Sequence, residues 1–229
     1  NSWVGTYSSG VYILNSETGN IIRHMSSTKE FACQFVFDIF KDSQGDLWIG
    51  GTYSHVICYL AKEKKFRTYS KRPINSFFEI APGKIVANCT YGLLLFNKEV
   101  GYVENMFDKG YIVQACAYVD NVFWIGTNGQ GLFRYDPQNG DIRRFTQECG
   151  IPSNYINSII CSGNSLMLGT EGGLCRFSLS NNSVYAYPSL FSFSNLSYNA
   201  SACHRLGYGV YVWWTCYGSV IFKPETLYD

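Results

Sequence analysis

The chain has 229 residues, 18 Lys or Arg against 17 Asp or Glu, and a formal charge of +1, with 17% aromatic residues against 15% charged ones. Few charges and many aromatics exclude disorder and point to a heavily buried β protein. The densest basic cluster, Lys62, Lys64 and Lys65, is interrupted by Glu63, so a nucleic-acid partner is not expected. No apolar stretch has the length to span a bilayer.

Taken in chain order, one phrase recurs six times: an apolar triplet, a small residue, Thr or a near substitute, a polar gap, then Gly and an apolar run. The copies begin at Ser2-Trp3-Val4-Gly5-Thr6, Leu47-Trp48-Ile49-Gly50-Gly51 and Ile85-Val86-Ala87-Asn88-Cys89. They continue at Phe123-Trp124-Ile125-Gly126-Thr127, Leu166-Met167-Leu168-Gly169-Thr170 and Val212-Trp213-Trp214-Thr215. A repeat of roughly forty residues built from short β segments is the signature of a β-propeller, one blade per repeat. The fold class expected is therefore all-β: one propeller domain over residues 1–229, with repeats near 1–30, 31–70, 71–108, 109–148, 149–192 and 193–229.

Each repeat reads as four strands, A to D. In the fifth, Ile156–Cys161 is A, Leu166–Thr170 is B, Leu174–Phe177 is C and Ser183–Tyr187 is D, joined by Ser162-Gly163-Asn164, Glu171-Gly172-Gly173 and Asn181-Asn182. The A strands expected before it are Phe35–Phe40, Asn75–Ile80 and Val113–Tyr118. Both faces of a blade are covered by neighbours, so glycine in the small slot would admit a neighbour's bulky side chain, and Trp3, Trp48 and Trp124 would pack between blades. The first repeat begins at strand B and the last ends after strand C, Val220–Phe222. Four complete and two partial blades result: either the ends join in a six-bladed ring lacking some strands or other residues complete a seventh blade, and the second is the reading preferred. With no initiator Met and a repeat already under way at the first residues, the chain reads as a piece of something longer.

Nine cysteines, an odd number without a C-x-x-C pair, read as small buried hydrophobes in strands. His24, His55 and His204 fall in different repeats, beside no nucleophile motif, and there is no G-x-S-x-G, H-E-x-x-H or P-loop. Asp42-Ser43-Gln44-Gly45-Asp46-Leu47-Trp48 resembles the Asp-box of sialidase-type propellers, but with one residue too many between Asp and Gly, so it reads as a polar A–B turn. No catalytic residue, metal or cofactor is expected.

Repeats four and five, from Phe123-Trp124-Ile125-Gly126-Thr127 through Gly131-Leu132-Phe133-Arg134-Tyr135-Asp136-Pro137 to Gly150-Ile151-Pro152-Ser153-Asn154-Tyr155-Ile156, resemble the two-component regulator propeller repeat. Gly218-Ser219-Val220-Ile221-Phe222-Lys223-Pro224 is similar to that family's last blade. The third and sixth repeats depart, with Asn88-Cys89 in place of Gly-Thr and Trp214 in the glycine slot. The resemblance implies a periplasmic sensor region of a hybrid two-component kinase of Bacteroides type, in which propellers precede a β-sandwich, a membrane helix and the kinase. It implies a non-enzymatic role for this segment, sensing oligosaccharide fragments, with neighbouring sensor domains or a second protomer as partners. A protein-interaction platform and a polysaccharide hydrolase or lyase are the alternatives.

Antiparallel alternation puts the B–C loops and the D–A linkers on one face. The B–C loops carry Tyr7, Tyr53 with His55, Tyr91, Asn128 with Gln130, Glu171 and Tyr217. Tyrosines on a rim offer flat apolar faces with hydroxyl tips, suited to sugar rings or a protein partner. These eight residues are the candidate ligand-binding set.

Overall fold

The computed structural model describes residues 1–26, 31, 33–52, 55–70, 72–187, 198–215 and 218–224. The chain divides into two compact units, Asn1–Gly110 and Tyr111–Asp229. In the first unit, one sheet is β1 (Ser2–Gly5), β2 (Val11–Leu14) and β3 (Ile21–Met25). The next is β4 (Asp38–Lys41), β5 (Leu47–Gly50), β6 (Val56–Leu60) and β7 (Lys65–Ser70). The third is β8 (Ile74–Ala81), β9 (Lys84–Cys89), β10 (Gly92–Asn97) and β11 (Tyr102–Phe107).

The second unit repeats the plan. Its sheets are β12 (Val113–Val119), β13 (Val122–Thr127), β14 (Leu132–Tyr135) and β15 (Ile142–Phe145), then β16 (Ile156–Ser162), β17 (Ser165–Thr170), β18 (Gly173–Ser178) and β19 (Val184–Ala186). The last comprises β20 (Tyr198–Arg205), β21 (Tyr211–Thr215) and β22 (Gly218–Phe222). Strands pair antiparallel in sequence order throughout, so the described residues form six blades, four of four strands and two of three. This is the propeller architecture read from the repeats. A seventh blade is not among the described residues.

Sheets are joined by apolar layers shared between neighbours. Val11 and Met25 of the first sheet cluster with Ile49 and Ile57 of the second. Trp48, Val56 and Cys58 of the second pack with Phe77, Ile85 and Phe96 of the third. In the second unit, Trp124 and Leu132 meet Ile156, Leu168 and Phe177, and Met167 and Leu174 meet Tyr211 and Trp213. The tryptophans lie at these seams as expected. Trp3 is 5.1 Å from Tyr59, Trp48 5.7 Å from Phe96 and Trp124 5.2 Å from Phe177, centroid to centroid. An aromatic side chain removes ~150–250 Å² from water, worth roughly 4–6 kcal/mol before ordering costs.

The small slot has the steric cause anticipated. A Cβ at Gly126 would lie 2.7 Å from Ile156 Cγ2, and one at Gly50 2.8 Å from Phe77 Cζ, each on the next sheet's A strand. Trp214 occupies the same slot in β21 and is 44% exposed. Asn88 occupies it in β9, fully buried, with neither amide atom hydrogen-bonded among the described residues.

The Thr that follows the slot closes the B–C loop. Its hydroxyl donates to the carbonyl of the residue that opens strand C or the one before it: Thr6 to Gly10 at 2.9 Å, Thr127 to Gly131 at 2.7 Å, Thr170 to Gly173 at 2.7 Å and Thr215 to Gly218 at 3.0 Å. Gly131 has φ +86, and a Cβ there would strike the Phe145 carbonyl oxygen at 2.3 Å. The W-I-G-T…G-L phrase is therefore one device: Trp and the apolar residues fill seams, Gly admits the next blade, and Thr ties the loop.

The start of one A strand and the burial of some cysteines differ from the sequence reading. The A strand of the second sheet begins at Asp38 rather than Phe35. Val36 instead donates to the Thr6 carbonyl at 2.9 Å and Phe37 to the Gly50 carbonyl at 2.9 Å, so Phe35–Phe37 is a linker stitched to two B–C loops. The cysteines follow the reading in part: Cys33, Cys58, Cys89, Cys116 and Cys175 are buried and free, whereas Cys161 and Cys203 are partly exposed and Cys149, in a 3-10 turn, is exposed. Cys216 lies outside the described residues.

Candidate functional site

Backbone hydrogen bonds tie each unit's B–C loops to its D–A linkers. In the first unit Gly10 donates to Gln34 O at 2.8 Å, and Ile74 donates to Gly51 O at 3.2 Å. In the second, Asn128 donates to Ile112 O at 2.9 Å, Gly131 to Asn154 O at 2.8 Å and Glu171 to Tyr155 O at 3.2 Å. In these blades loops and linkers thus share an edge, and the described candidate residues lie in or beside those loops.

Tyr7 is 74% exposed. Its ring stacks on Phe37 at 6.2 Å and 15° and meets Phe35 edge-on at 5.7 Å. Phe37 is itself 46% exposed, so two nearly parallel aromatic faces lie open to solvent. The flanking polar groups are fixed: Gln34 Nε2 donates to Ser8 O at 3.0 Å, and His24 Nε2 lies 2.6 Å from Ser9 O.

In the second unit Asn128 and Glu171 are exposed. Gln130 is clamped by Arg144, whose Nε donates to its carbonyl at 2.7 Å and whose Nη2 donates to its Oε1 at 3.0 Å. The backbone N–H of Gln130 donates to Thr127 Oγ1 at 3.2 Å, and its side-chain nitrogen is a further hydrogen-bond donor. Tyr155, from the neighbouring linker, lies against this loop, where a Cβ at Gly129 would be 3.2 Å from the ring. Tyr91 is exposed and His55 partly so. Tyr53 and Tyr217 lie outside the described residues. The contacts of Tyr7, Asn128 and Glu171 run to their own linkers rather than to one another. Phe35, Phe37 and Tyr155 were missed in the sequence reading, although each is an aromatic in a D–A linker, the segment that the alternation rule places beside the B–C loops.

A second feature lies at the A–B and C–D turns of the first unit. The Lys98 ammonium is buried against Asp42 Oδ2 at 2.8 Å and Gln44 Oε1 at 2.7 Å, and it pairs with Asp46. Asp42 also accepts from Trp48 Nε1 at 3.0 Å, from the Gln44 amide at 3.0 Å and from the Asp46 amide at 2.9 Å. Burial opposes its charge, but Lys98, the Trp48 indole and the Asp46 amide outweigh it and hold Asp42 below the usual carboxylate range. An acid so held is ionised at neutral pH and is no proton donor for glycosidic cleavage. Among the described residues, no group of three or more His, Cys, Asp or Glu side chains could hold a metal ion. No helix there is long and apolar enough to cross a membrane.

Residues 30–53, which include the Asp42–Gly50 turn and strand, match the family model described as two component regulator propeller. That segment is thus similar to a two component regulator propeller repeat. The match falls on the second repeat, whereas the resemblance was read most strongly from the fourth and fifth. No curated protein matches the chain significantly in sequence. Among solved structures, the extracellular domain described as that of hybrid two component system BT4673 from B. thetaiotaomicron aligns with a TM-score of 0.72 and 23% identity, over 88% of this chain and 28% of that one. The corresponding domain of BT3049 from the same organism aligns with a TM-score of 0.73 and 20% identity, over 98% and 37%. PorZ, a surface component of the type-IX secretion system of Porphyromonas gingivalis, aligns at 0.71 and 16%, over 96% and 37%. At these identities the likeness carries the propeller fold. The chain spans 28–37% of the length of these solved chains.

Proposed function

We propose that the chain is a ligand-sensing propeller of the periplasmic region of a hybrid two-component sensor, that it binds oligosaccharide fragments, and that it performs no chemistry of its own. The observation that carries this reading is the open Tyr7–Phe37 stack on the loop-and-linker edge of a fold shared with such sensors' extracellular domains. A pyranose presents C–H groups on one face and hydroxyls around its rim. The two aromatic faces suit the first, and Gln34 and the Tyr7 hydroxyl suit the second; in the other unit Asn128, Gln130 and Glu171 offer polar groups of their own. The proposed ligand-binding set also takes in His55, Tyr91 and Tyr53 of the first unit and Tyr217 of the second. With no catalytic step, signalling is a ligand-biased shift between arrangements of the sensor and its partner domains or protomer.

A thermal-shift panel of plant and host oligosaccharides, followed by calorimetry on any hit, tests the reading. At least one oligosaccharide is expected to stabilise the chain, and Tyr7→Ala is expected to weaken its binding about tenfold, at ~1–1.5 kcal/mol for a stacking contact. A panel with no stabilising member, or a hit indifferent to Tyr7→Ala and Phe37→Ala, overturns it.

A further inference from the structure

Two of the B–C loops share one length and one phrase: Thr6-Tyr7-Ser8-Ser9-Gly10 in the first unit and Thr127-Asn128-Gly129-Gln130-Gly131 in the second. Their bonds correspond one for one. The threonine hydroxyl that closes each loop also accepts from the fourth residue, the Ser9 N–H at 3.0 Å and the Gln130 N–H at 3.2 Å. Each final glycine donates to a linker carbonyl, Gln34 O or Asn154 O, both at 2.8 Å. Each also has positive φ, and a Cβ on it would strike a D-strand carbonyl oxygen, that of Met25 or Phe145. The fourth residue's own carbonyl is met by a basic side chain from the D strand. His24 Nε2 lies 2.6 Å from Ser9 O, and Arg144 Nε donates to Gln130 O at 2.7 Å. A carbonyl oxygen only accepts, so Nε2 of His24 carries the proton. Strand register gives the two donors the same place. His24 stands opposite Tyr12 and Arg144 opposite Phe133, each aromatic being the second residue after the loop's glycine. The imidazole stacks on the Tyr12 ring at 4.1 Å and 9°, and the guanidinium lies over the Phe133 ring at 5.8 Å. The aromatic seats the donor, and the donor fixes the end of the loop. The shorter loop Thr170–Gly173 has Cys175 and Ala186 at the corresponding pair, with no basic side chain. The clamp thus goes with the longer loops, which carry Tyr7, Asn128 and Gln130 of the proposed binding set.

We propose that His24 and Arg144 are positioning residues, one in each unit, that hold these loops in their binding shape before any ligand arrives. What the loops bind rests on the oligosaccharide reading; how they are held does not. A loop ordered in advance gives up less conformational entropy when a sugar settles on it. Both side chains are exposed, so each acts through its bond to the loop and not through the core.

Amide exchange of the free protein, followed residue by residue by NMR, tests the clamps without a ligand. His24→Phe keeps a ring on Tyr12 and removes the donor. It is expected to speed exchange of the Ser9 and Gly10 amides about fivefold, the worth of one hydrogen bond, and to leave Gln130 and Gly131 unchanged. Arg144→Met is expected to do the reverse. Because the two donors occupy one position, His24→Arg and Arg144→His are expected to restore protection, with melting temperatures near that of the wild type throughout. With the most stabilising oligosaccharide of the panel as titrant, His24→Phe or Arg144→Met is expected to weaken binding about fivefold, and the matching exchange of His for Arg or Arg for His to recover it. Loop exchange in His24→Phe and Arg144→Met equal to that of the wild type overturns the proposal. So does faster exchange spread over β1–β3 or β12–β15 with a lowered melting temperature, the mark of a purely structural role. A panel with no stabilising member overturns the oligosaccharide reading, and the free-protein exchange still decides the clamps.

Discussion

Lys98 in the third sheet's C–D turn places its ammonium 2.8 Å from the carboxylate of Asp42 in the second sheet's A–B turn, with 10% of the lysine side chain and none of the aspartate accessible. Two ions leave water at this junction, and each is tolerated because the other is there. Removing one partner therefore costs more than the pair itself contributes.

Lys98→Met is expected to lose about 3–5 kcal/mol at neutral pH, since it leaves Asp42 and Asp46 uncompensated. The pH dependence follows from both ends of the pair. Asp42, held below its ordinary value, contributes stability that is present above the unfolded carboxylate value of about 4 and lost as pH falls through its lower folded value. For Lys98, burial works against the charge, but its bonds to Asp42 and Asp46 raise it above its ordinary value. Its contribution is present below about 10.4 and lost as pH rises through the higher folded value. Urea unfolding across pH should show a wild-type advantage between those limits that shrinks beyond them. A constant difference would show that the charges are not its source.

Asp38 points the other way. Burial pushes its carboxyl above the usual range, and the Phe77 amide, 2.8 Å away on the next A strand, and the Ile39 amide only partly offset this. An acid with a raised folded value adds stability below its unfolded value and loses it as pH rises through the folded one. Asp38→Asn keeps an acceptor for the Phe77 amide and removes the charge. It is expected to raise the melting temperature at pH 7 and to have little effect below about pH 4, where both side chains are neutral.

Gly126→Ala is expected to cost about 1–3 kcal/mol, because its Cβ would overlap Ile156 on the adjoining A strand. Urea midpoints for this variant and for Gly207→Ala, at a turn with no positive φ and no atom within 4 Å of the new Cβ, separate the contact from any general cost of losing glycine.

Thiol labelling should sort the cysteines by burial. Burial pushes the Cys58 and Cys203 thiols up to about 12 and raises Cys116 and Cys175 as well. Cys149 is exposed. In the native protein, mass spectrometry after brief alkylation should find Cys149 modified and Cys58, Cys116 and Cys175 untouched. Modification of the buried three at the same rate as Cys149 would contradict the packing.

The blades were legible because their causes are local and repeated. Trp at the seam, Gly where the next strand approaches and Thr over the loop are each forced by contacts that recur in several repeats. Trp214 in the glycine slot was legible as a departure but not explained by sequence, since nothing in the phrase says that its side chain is largely open to solvent. The site was legible only by position. Alternation placed Tyr7 on the right edge, yet its partners Phe35 and Phe37 lay inside an expected strand. Lys98 was invisible for a different reason: its pairing with Asp42 spans 56 positions and occurs once, so no periodicity announces it.

Hydrogen–deuterium exchange with and without a stabilising oligosaccharide tests the central claim most directly. The account predicts slowed exchange in the loops and linkers, at Thr6–Gly10 with Gln34–Phe37 or at Asn128–Gly131 with Asn154–Tyr155. Slowed exchange confined to the opposite turns around Asp42–Asp46 and Lys98, with the Tyr7 loop unchanged, would contradict it.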